Sequence, residues 1–262
     1  MNQQTITRSF TLQGTGIHSG KQTTLHFSAA PIDAGIYFLK EGKKIPALAA
    51  NVVDTRRGTS LDGVAVVEHL LSAVSGLGID NLEIGIEGEE IPIMDGSALP
   101  FVEGLQSAGL TEQDSPRKYY EIDRPVKISV GEAWLEALPY HGLKINFMVN
   151  FSGVGPQKLT CELEKIDYRK EIAPARTFGY LEEYEQLKAR GLAIGASLDN
   201  ALVIGKDGYV NQPRFSDEVV RHKVLDLIGD LQLAGRPLWA EINAFRSGHS
   251  LNVELVRRII NP

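Results

Sequence analysis

The stretch DEVVRHKVLDLIGD, residues 217–230, decides the fold because it has the spacing of an amphipathic helix and a counterpart elsewhere in the chain. Its polar residues recur at steps of four: Glu218, His222, Asp226 and Asp230. Four helical residues turn through about 400°, so each of these side chains lies only about 40° round the helix from the previous one. One stripe of the helix therefore carries an imidazole and three carboxylates. Glu218, at the start of the stripe, is predicted to be a surface residue.

The opening Val-Val-x-His of this helix also occurs at residues 66–69, where VVEHLLSAVSGLG predicts another helix. His69 and His222 are therefore equivalent positions in two similar segments. Each segment continues into a strand and then into a Gly/Ser turn that opens a further helix, MDGSALPFVEGL in the first and RSGHSLNVELVRR in the second. The pattern predicts two copies of one unit that contains a sheet and two helices.

These units predict an α+β fold in which two similar domains pack helix layer to helix layer. The polar run TEQDSPRK (111–118) is interpreted as a linker, which gives a first domain at 1–114 and a second domain at 115–262. The segment 178–200 has no counterpart in the first half. It combines a charged helix with the apolar run LAIGASL, and we expect it to be an insertion close to the binding site.

The composition is that of a soluble globular protein. Hydrophobic residues make up 43% of the 262, which is enough for a sizeable core. Lys and Arg number 27 against 33 Asp and Glu, so the charge of −6 gives no general footprint for nucleic acid. The single cysteine, Cys161, excludes an intrachain disulfide and fits a reducing compartment. With neither a signal peptide nor an apolar run of about 20 residues, we expect a cytoplasmic protein.

A metal site is the most specific chemistry that the helices suggest. His222 and Asp226, four residues apart, can offer a nitrogen and an oxygen to one cation, although such a pair is more often a hydrogen-bonded surface pair. His69 strengthens the metal hypothesis, because a pseudo-dyad between the two units would bring it to His222. Two histidines and one carboxylate leave a fourth zinc position open for water. Glu68, beside a ligand, can then act as general base.

His249 lies in the turn RSGHSLN, from which a side chain can project into the cleft between the units. As an imidazolium it can polarise a carbonyl or protonate a leaving amine. Asp230, two turns beyond the His222 position, can orient His249 instead of binding metal. Two alternatives remain: His249 is simply a helix-start residue, or Ser250, His249 and Asp230 form a nucleophilic triad. A peptidase of the H-E-x-x-H type is disfavoured because the chain lacks that motif.

Five segments, in order, resemble the UDP-3-O-acyl-N-acetylglucosamine deacetylase family, which are zinc amidohydrolases of lipid A biosynthesis. The segments are VEHLLSA (67–73), EIPIMDGSALPFV (90–102), ARTFGY (175–180), VRHKVLDLIGDL (220–231) and SGHSLN (247–252). The resemblance extends over nearly the whole chain, and it implies two α+β domains of like topology with the active site between them. That arrangement agrees with the repeat.

The resemblance also implies individual roles. The zinc ligands would be His69, His222 and Asp226, with ferrous iron as the alternative metal in the cell. Glu68 would be the base and His249 the electrostatic stabiliser and general acid, with Asp230 behind it. Thr177 would help to hold the oxyanion, and Lys223 would meet the substrate diphosphate. The insertion would form an apolar passage for the acyl chain, and its named residues are Phe178, Leu192 and Ile194.

The activity that the resemblance implies is hydrolysis of the N-acetyl amide of a UDP-linked, 3-O-acylated glucosamine to acetate and a free amine, in the cytoplasm of a Gram-negative-type bacterium. We expect a small-molecule substrate and a monomer. A non-catalytic protein that holds an acylated sugar nucleotide in the same metal-containing cleft is the alternative. The chain departs from many family members at NFSGVGPQ (150–157), where an Asn-His-Pro-like run is expected, and has serine in RRGTSL (56–61) where some carry cysteine.

Overall fold

The computed structural model describes residues 1–261. We call residues 1–116 the N-terminal half. Its elements are β1 (Asn2–Ile6), β2 (Phe10–Thr15), β3 (Gln22–Ala29), β4 (Ile36–Lys40), β5 (Lys43–Pro46), a 3-10 turn (Ala49–Asn51), β6 (Val52–Asp54), β7 (Ser60–Leu61), α1 (Glu68–Gly76), β8 (Leu82–Glu87), α2 (Leu99–Ala108) and β9 (Leu110–Pro116).

Residues 117–261 form the C-terminal half. Its elements are β10 (Tyr120–Glu121), β11 (Val126–Val130), β12 (Ala133–Pro139), β13 (Leu143–Phe151), β14 (Gly155–Glu162), α3 (Tyr168–Glu171), β15 (Phe178–Tyr180), α4 (Leu181–Ala189), β16 (Leu202–Gly205), β17 (Gly208–Tyr209), α5 (Glu218–Leu231), a second 3-10 turn (Gln232–Ala234), β18 (Leu238–Phe245) and α6 (His249–Ile260). The α+β class predicted from the sequence is confirmed.

The main sheets of the two halves have the same topology. In the N-terminal half the strand order is β2-β3-β8-β4-β5, and in the C-terminal half it is β11-β12-β18-β13-β14, with β10 as an addition beside β18. In both sheets the only parallel pair among these five strands joins the central strand to the fourth strand in the order, β8 with β4 and β18 with β13. In both, the central strand of the sheet lies between two helices along the chain: β8 between α1 and α2, and β18 between α5 and α6. This common topology supports the repeat.

Alternation along the strands turns one face of each sheet toward the helices. In β18 every second residue from Leu238 to Ala244 is buried, whereas Trp239, Glu241 and Asn243 are partly exposed. A strand with period-two alternation packs one face on a core and presents the other to solvent. The helices therefore lie between the two sheets.

Helix α1 packs directly against α5, so the two halves meet helix to helix. The approach is close because Gly229 of α5 faces the backbone of Glu68, where a methyl group would overlap the Glu68 carbonyl oxygen. All fourteen residues of α5 except Arg221 are buried. One continuous apolar core runs through both halves, which is the reason that a helix with four polar side chains on one stripe is nevertheless internal.

The predicted linker is a strand. Residues 110–116 form β9, which pairs antiparallel with β1. The proposed boundary between residues 114 and 115 thus falls inside this strand, because alternating exposure at a sheet edge produces the same polar composition as a loop. The two-domain division itself stays a prediction, and its last residue, 262, lies outside the described residues.

The predicted insertion begins with β15, continues as α4, which has no buried residue, and ends in an irregular segment before β16. Strands β15, β16 and β17 form a separate three-stranded sheet. Backbone amides of Ile194 and Gly195 donate to the carbonyls of His18 and Ile17, so the insertion is tied to the N-terminal half. Among residues 1–261, no helix is both long and apolar enough to cross a bilayer.

Candidate metal centre and active site

The polar stripe of α5 is buried from end to end. The exposed fractions are 0% for Glu218, 3% for His222, 3% for Asp226 and 0% for Asp230. The prediction that Glu218 is a surface residue is wrong. Its carboxylate accepts hydrogen bonds from the backbone and side chain of Arg176, with the Nε atom at 2.9 Å, because the segment before β15 folds over the first turn of α5.

Three side chains from the two central helices converge at one point. His69 of α1 and His222 and Asp226 of α5 each offer one ligand atom, and these atoms all lie within 4.8 Å of one another. The Oδ1 atom of Asp226 is 3.2 Å from His222 Nε2 and 3.6 Å from His69 Nε2. The two imidazole rings are perpendicular, with centroids 4.9 Å apart. The contact of α1 with α5 therefore brings together residues that are far apart in the sequence.

The donors of this cluster fit a divalent cation. Asp226 Oδ1 is buried and has no hydrogen-bond partner among the described residues, although such an atom is costly to leave unpaired. His222 directs its Nδ1 to the carbonyl oxygen of Ala175 at 3.1 Å, which leaves Nε2 facing the cluster. Burial lowers the pKa of His222 to about 4, against the opposing effect of Asp226. The imidazole is therefore neutral at neutral pH, as a metal ligand must be.

Glu68 begins α1 beside His69 and is 3% exposed. Its Oε2 atom accepts a hydrogen bond from the backbone N–H of Thr59 at 2.9 Å, and its Oε1 atom lies 3.8 Å from His249 Nε2. Burial raises the pKa of the Glu68 carboxyl, and the nearby histidines His249 and His69 oppose this shift. A carboxylate with a raised pKa that lies beside the His-His-Asp cluster without belonging to it has the properties of a general base.

His249 is the first residue of α6 and points toward the same cluster. Its Nδ1 atom lies 2.9 Å from Asp230 Oδ2, and its Nε2 atom lies 3.9 Å from Asp226 Oδ2. Burial by itself lowers the pKa of His249, but the carboxylates of Asp230 and Glu68 raise it to about 9. The ring is thus an imidazolium at neutral pH, held in one orientation by Asp230 and able to stabilise negative charge.

Lys223 lies beside the cluster and is 9% exposed. Its ammonium donates to Asp226 Oδ2 at 2.8 Å, whereas His222 is closer to the other oxygen, Oδ1. Burial alone would raise the pKa of Asp226, but the adjacent His222 and the Lys223 ammonium bring it well below its ordinary value. The carboxylate is therefore ionised, with one oxygen bound to Lys223 and the other directed to the two histidines.

A cavity of about 590 Å³ opens from this cluster. The predicted residues Thr177 and Phe178 line it together with Lys223, and the Phe178 ring contacts His222 edge to face at a centroid distance of 6.0 Å. The backbone N–H of Thr177 donates to the Gly96 carbonyl at 2.7 Å, so only its hydroxyl is free to donate into the cavity. The walls away from the polar end are mainly apolar, and they include Leu181, Tyr184, Leu187, Leu198, Val203 and Val210.

Two residues predicted for the apolar passage are not part of its wall. Among the described residues that line the cavity, neither Leu192 nor Ile194 is present. Ile194 is 50% exposed and lies against the Gly20 turn. The insertion does form one side of the cavity, but through α4 and the segment that ends at Leu198. Of the residues in LAIGASL, the cavity is lined by Ala193, Ala196, Ser197 and Leu198, and composition alone does not distinguish them from Leu192 and Ile194.

Several residues of the site are not predicted by the sequence patterns. Arg57 lines the cavity and pairs with Glu183 of α4 at 3.0 Å, and His18 also lines it. Thr59 contacts both Glu68 and Asp230. The local signal for Arg57 and Thr59 is the Arg-Arg-Gly-Thr run (56–59) before α1. By contrast, Ser250 is exposed and is absent from the cavity wall of the described chain, so the structure does not assemble the alternative Ser250 triad.

A fold of two helix layers that places a His-His-Asp cluster, the buried Glu68 carboxyl and the His249 imidazolium beside a mainly apolar cavity is typical of a metal-dependent hydrolase. The comparisons with known proteins narrow this class. A family model for UDP-3-O-acyl N-acetylglycosamine deacetylase matches residues 3–261. This chain belongs to that family of deacetylases.

Individual relatives agree with the family model over most of their length. A protein of Syntrophotalea carbinolica that is named UDP-3-O-acyl-N-acetylglucosamine deacetylase is 44% identical over 270 residues, which cover 98% of this chain and 87% of the relative. Proteins of the same name from Psychrobacter arcticus and Acidithiobacillus ferrooxidans are 43% and 41% identical. Their alignments cover 100% and 99% of this chain and 86% and 90% of the relatives.

Proposed function

We propose that this protein is a zinc-dependent deacetylase that removes the N-acetyl group from UDP-3-O-acyl-N-acetylglucosamine in lipid A biosynthesis. The products are UDP-3-O-acyl-glucosamine and acetate. The observation that supports this proposal most strongly is the joint position of the His69, His222 and Asp226 cluster, the Glu68 base and the His249 imidazolium at the polar end of one apolar cavity. The relatives carry the name of this activity.

Two imidazoles and one carboxylate are the ligand set of hydrolytic zinc sites, and they also suit ferrous iron. His69, His222 and Asp226 would hold the ion. When bound, a divalent cation supplies Lewis-acid chemistry, in that it polarises the amide carbonyl and lowers the pKa of water. The unpartnered Oδ1 atom of Asp226 and the free Nε2 atom of His222 support this assignment.

Glu68 takes a proton from the water that attacks the acetyl carbonyl. The raised pKa of its carboxyl makes the carboxylate a stronger base than an exposed glutamate, and the Thr59 N–H keeps one oxygen in place. The C–N bond then breaks, acetate takes the water oxygen, and the leaving nitrogen receives a proton. Glu68 and His249 both hold a transferable proton at this stage, and Glu68 Oε1 lies 3.8 Å from His249 Nε2.

His249 and Thr177 stabilise the negative charge that develops on the carbonyl oxygen. The imidazolium persists at neutral pH because its pKa is about 9, and Asp230 compensates its burial. Thr177 acts through its hydroxyl, since its amide is bound to Gly96. Donors that are already oriented toward such charge are worth about 100- to 1000-fold in kcat each.

The remaining contacts concern the substrate. The apolar part of the cavity takes the 3-O-acyl chain, with Phe178 at its inner end. Lys223, at the polar end, meets the diphosphate while it retains its contact with Asp226. Leu192 and Ile194 lie on the insertion outside the cavity wall, so we assign them to the outer surface of the acyl passage.

The experiment that tests this function separates turnover from binding. Glu68→Gln keeps the size of the side chain and removes the base, so acetate release from UDP-3-O-acyl-N-acetylglucosamine is expected to fall by at least about 100-fold. The affinity for the same substrate, measured by isothermal titration calorimetry, is expected to stay within about threefold. A non-catalytic binding protein has no use for a buried base. Wild-type protein that binds the substrate and releases no acetate would therefore establish the binding function instead.

A further inference from the structure

We infer that Thr59 is a positioning residue that orients the base and the acid of this site together. This inference rests on the proposed deacetylase function, and it assigns to Thr59 an effect on catalysis through Glu68 and Asp230 without contact with substrate. Thr59 lies in the loop between β6 and β7 and is 0% exposed.

All three polar groups of Thr59 are engaged. Its backbone N–H donates to Glu68 Oε2 at 2.9 Å, and its carbonyl accepts from the backbone N–H of Val67, the residue before α1, at 2.9 Å. Its hydroxyl donates to Asp230 Oδ1 at 2.5 Å. The loop is thus fixed to the start of α1 by its backbone and to α5 by its side chain.

The hydroxyl is the one donor on Oδ1 of Asp230 among the described residues. The other oxygen of this carboxylate, Oδ2, accepts from Asn252 Nδ2 at 2.8 Å and faces His249 Nδ1 at 2.9 Å. Asp230 is 0% exposed, so water does not replace a lost donor easily. Without the Thr59 hydroxyl the carboxylate would rotate or share its remaining donors, and the His249 ring would follow.

Glycine precedes Thr59 for a geometric reason. Gly58 has a φ of 146°, and a side chain there would press on Glu68 Oε1. The loop therefore passes close enough to bind the Glu68 carboxylate through backbone alone. Thr59 also contacts the other half of the molecule, because its hydroxyl donates to Asp230, which is 171 positions away in the sequence. One residue thereby sets the distance between Glu68 Oε1 and His249 Nε2, 3.8 Å.

The test uses two substitutions that differ in the hydroxyl. Thr59→Val keeps the shape and the backbone N–H but removes the donor to Asp230, whereas Thr59→Ser keeps the donor and loses a methyl group. With zinc-loaded protein, Thr59→Val is expected to lower kcat about 10- to 100-fold with KM within about twofold. Thr59→Ser is expected to keep at least about half of the wild-type kcat. Zinc content and the melting temperature are measured for each variant.

The second readout does not depend on activity. In metal-free protein labelled with ¹⁵N-histidine, the His249 Nδ1–H resonance reports its hydrogen bond to Asp230. Thr59→Val is expected to move this resonance, and Thr59→Ser is expected to leave it near its wild-type position. If Thr59→Val does not fold, Thr59→Cys, whose thiol is a weak donor, takes its place with the same expectation.

Three results would overturn the inference: a wild-type kcat in Thr59→Val, an unmoved His249 resonance in that variant, or an equal loss of kcat in Thr59→Ser. The last result would assign the effect to packing of the methyl group. A wild-type protein that releases no acetate would contradict the proposed function instead, and the His249 resonance would still decide whether Thr59 orients the pair.

Discussion

Replacing Glu218 with alanine is expected to lower the free energy of unfolding by about 3–5 kcal/mol, because it removes one partner of a buried ion pair. Glu218 is 0% exposed and the Arg176 side chain is 7% exposed. The Glu218 carboxylate accepts from the Nε atom of Arg176 at 2.9 Å, from its Nη2 atom at 3.3 Å, and from the backbone N–H groups of Arg176 and Arg214. Alanine leaves a buried guanidinium and two backbone donors without this acceptor, which places the loss toward the upper end of the range.

A matched control is available on α6. Glu254 pairs with Arg258 at the same distance of 2.9 Å, but the two side chains are 43% and 54% exposed. Glu254→Ala is therefore expected to change the free energy of unfolding by no more than about 0.5 kcal/mol. Both variants are measured by urea unfolding followed by circular dichroism, in the presence of a chelator so that metal binding does not contribute.

A loss of less than about 1 kcal/mol in Glu218→Ala would contradict this expectation, because the ion pair would then behave like a surface pair. A functional consequence follows from the same contacts. Arg176 precedes Thr177, so release of Arg176 should displace the proposed oxyanion donor and lower kcat even under conditions where Glu218→Ala is folded. Glu254→Ala should leave kcat unchanged.

Three further perturbations have defined outcomes. Gly229→Ala should push α1 from α5 at the Glu68 carbonyl, and it should reduce both zinc content and melting temperature; unchanged zinc content would contradict the close contact. Burial raises the pKa of Cys161 to about 12, so its protonated form stabilises the fold fully below about pH 8.5, and this contribution is lost as the pH rises toward 12. Relative to Cys161→Ser, the wild-type unfolding free energy should therefore fall only above about pH 9, and a constant difference would refute this. Lys223→Met should raise KM about tenfold with zinc retained, and an unchanged KM would remove Lys223 from the diphosphate site.

The central helix shows how much of the site was accessible from sequence. Steps of four placed His222 and Asp226 on one stripe, and the Val-Val-x-His repeat connected them to His69. Periodicity did not show that the stripe is buried, because a helix covered on all sides carries the same polar spacing as a surface helix. Glu218 was misassigned for this reason. Its burial depends on Arg176, 42 positions away.

Local sequence patterns also do not predict contacts between segments that are far apart in the chain. Thr59 meets Asp230 only because α1 packs on α5, and no spacing rule links positions that are 171 residues apart. The acyl passage shows a related limit. Its apolar composition was visible in LAIGASL, but the larger apolar side chains Leu192 and Ile194 lie outside the wall, to which Ala193, Ala196, Ser197, Leu198 and α4 contribute. Which side of an irregular segment faces a cavity is decided by tertiary contacts, here those with Ile17 and His18.

The central claim is that His69, His222 and Asp226 hold a divalent metal on which the deacetylase activity depends. Acetate release from UDP-3-O-acyl-N-acetylglucosamine, measured before chelation, after complete metal removal and after addition of zinc, tests it most directly. Acetate release is expected to stop on metal removal and to return with about one zinc ion per chain, because the three ligands form a single site. Metal-free protein that releases acetate at the original rate would contradict it.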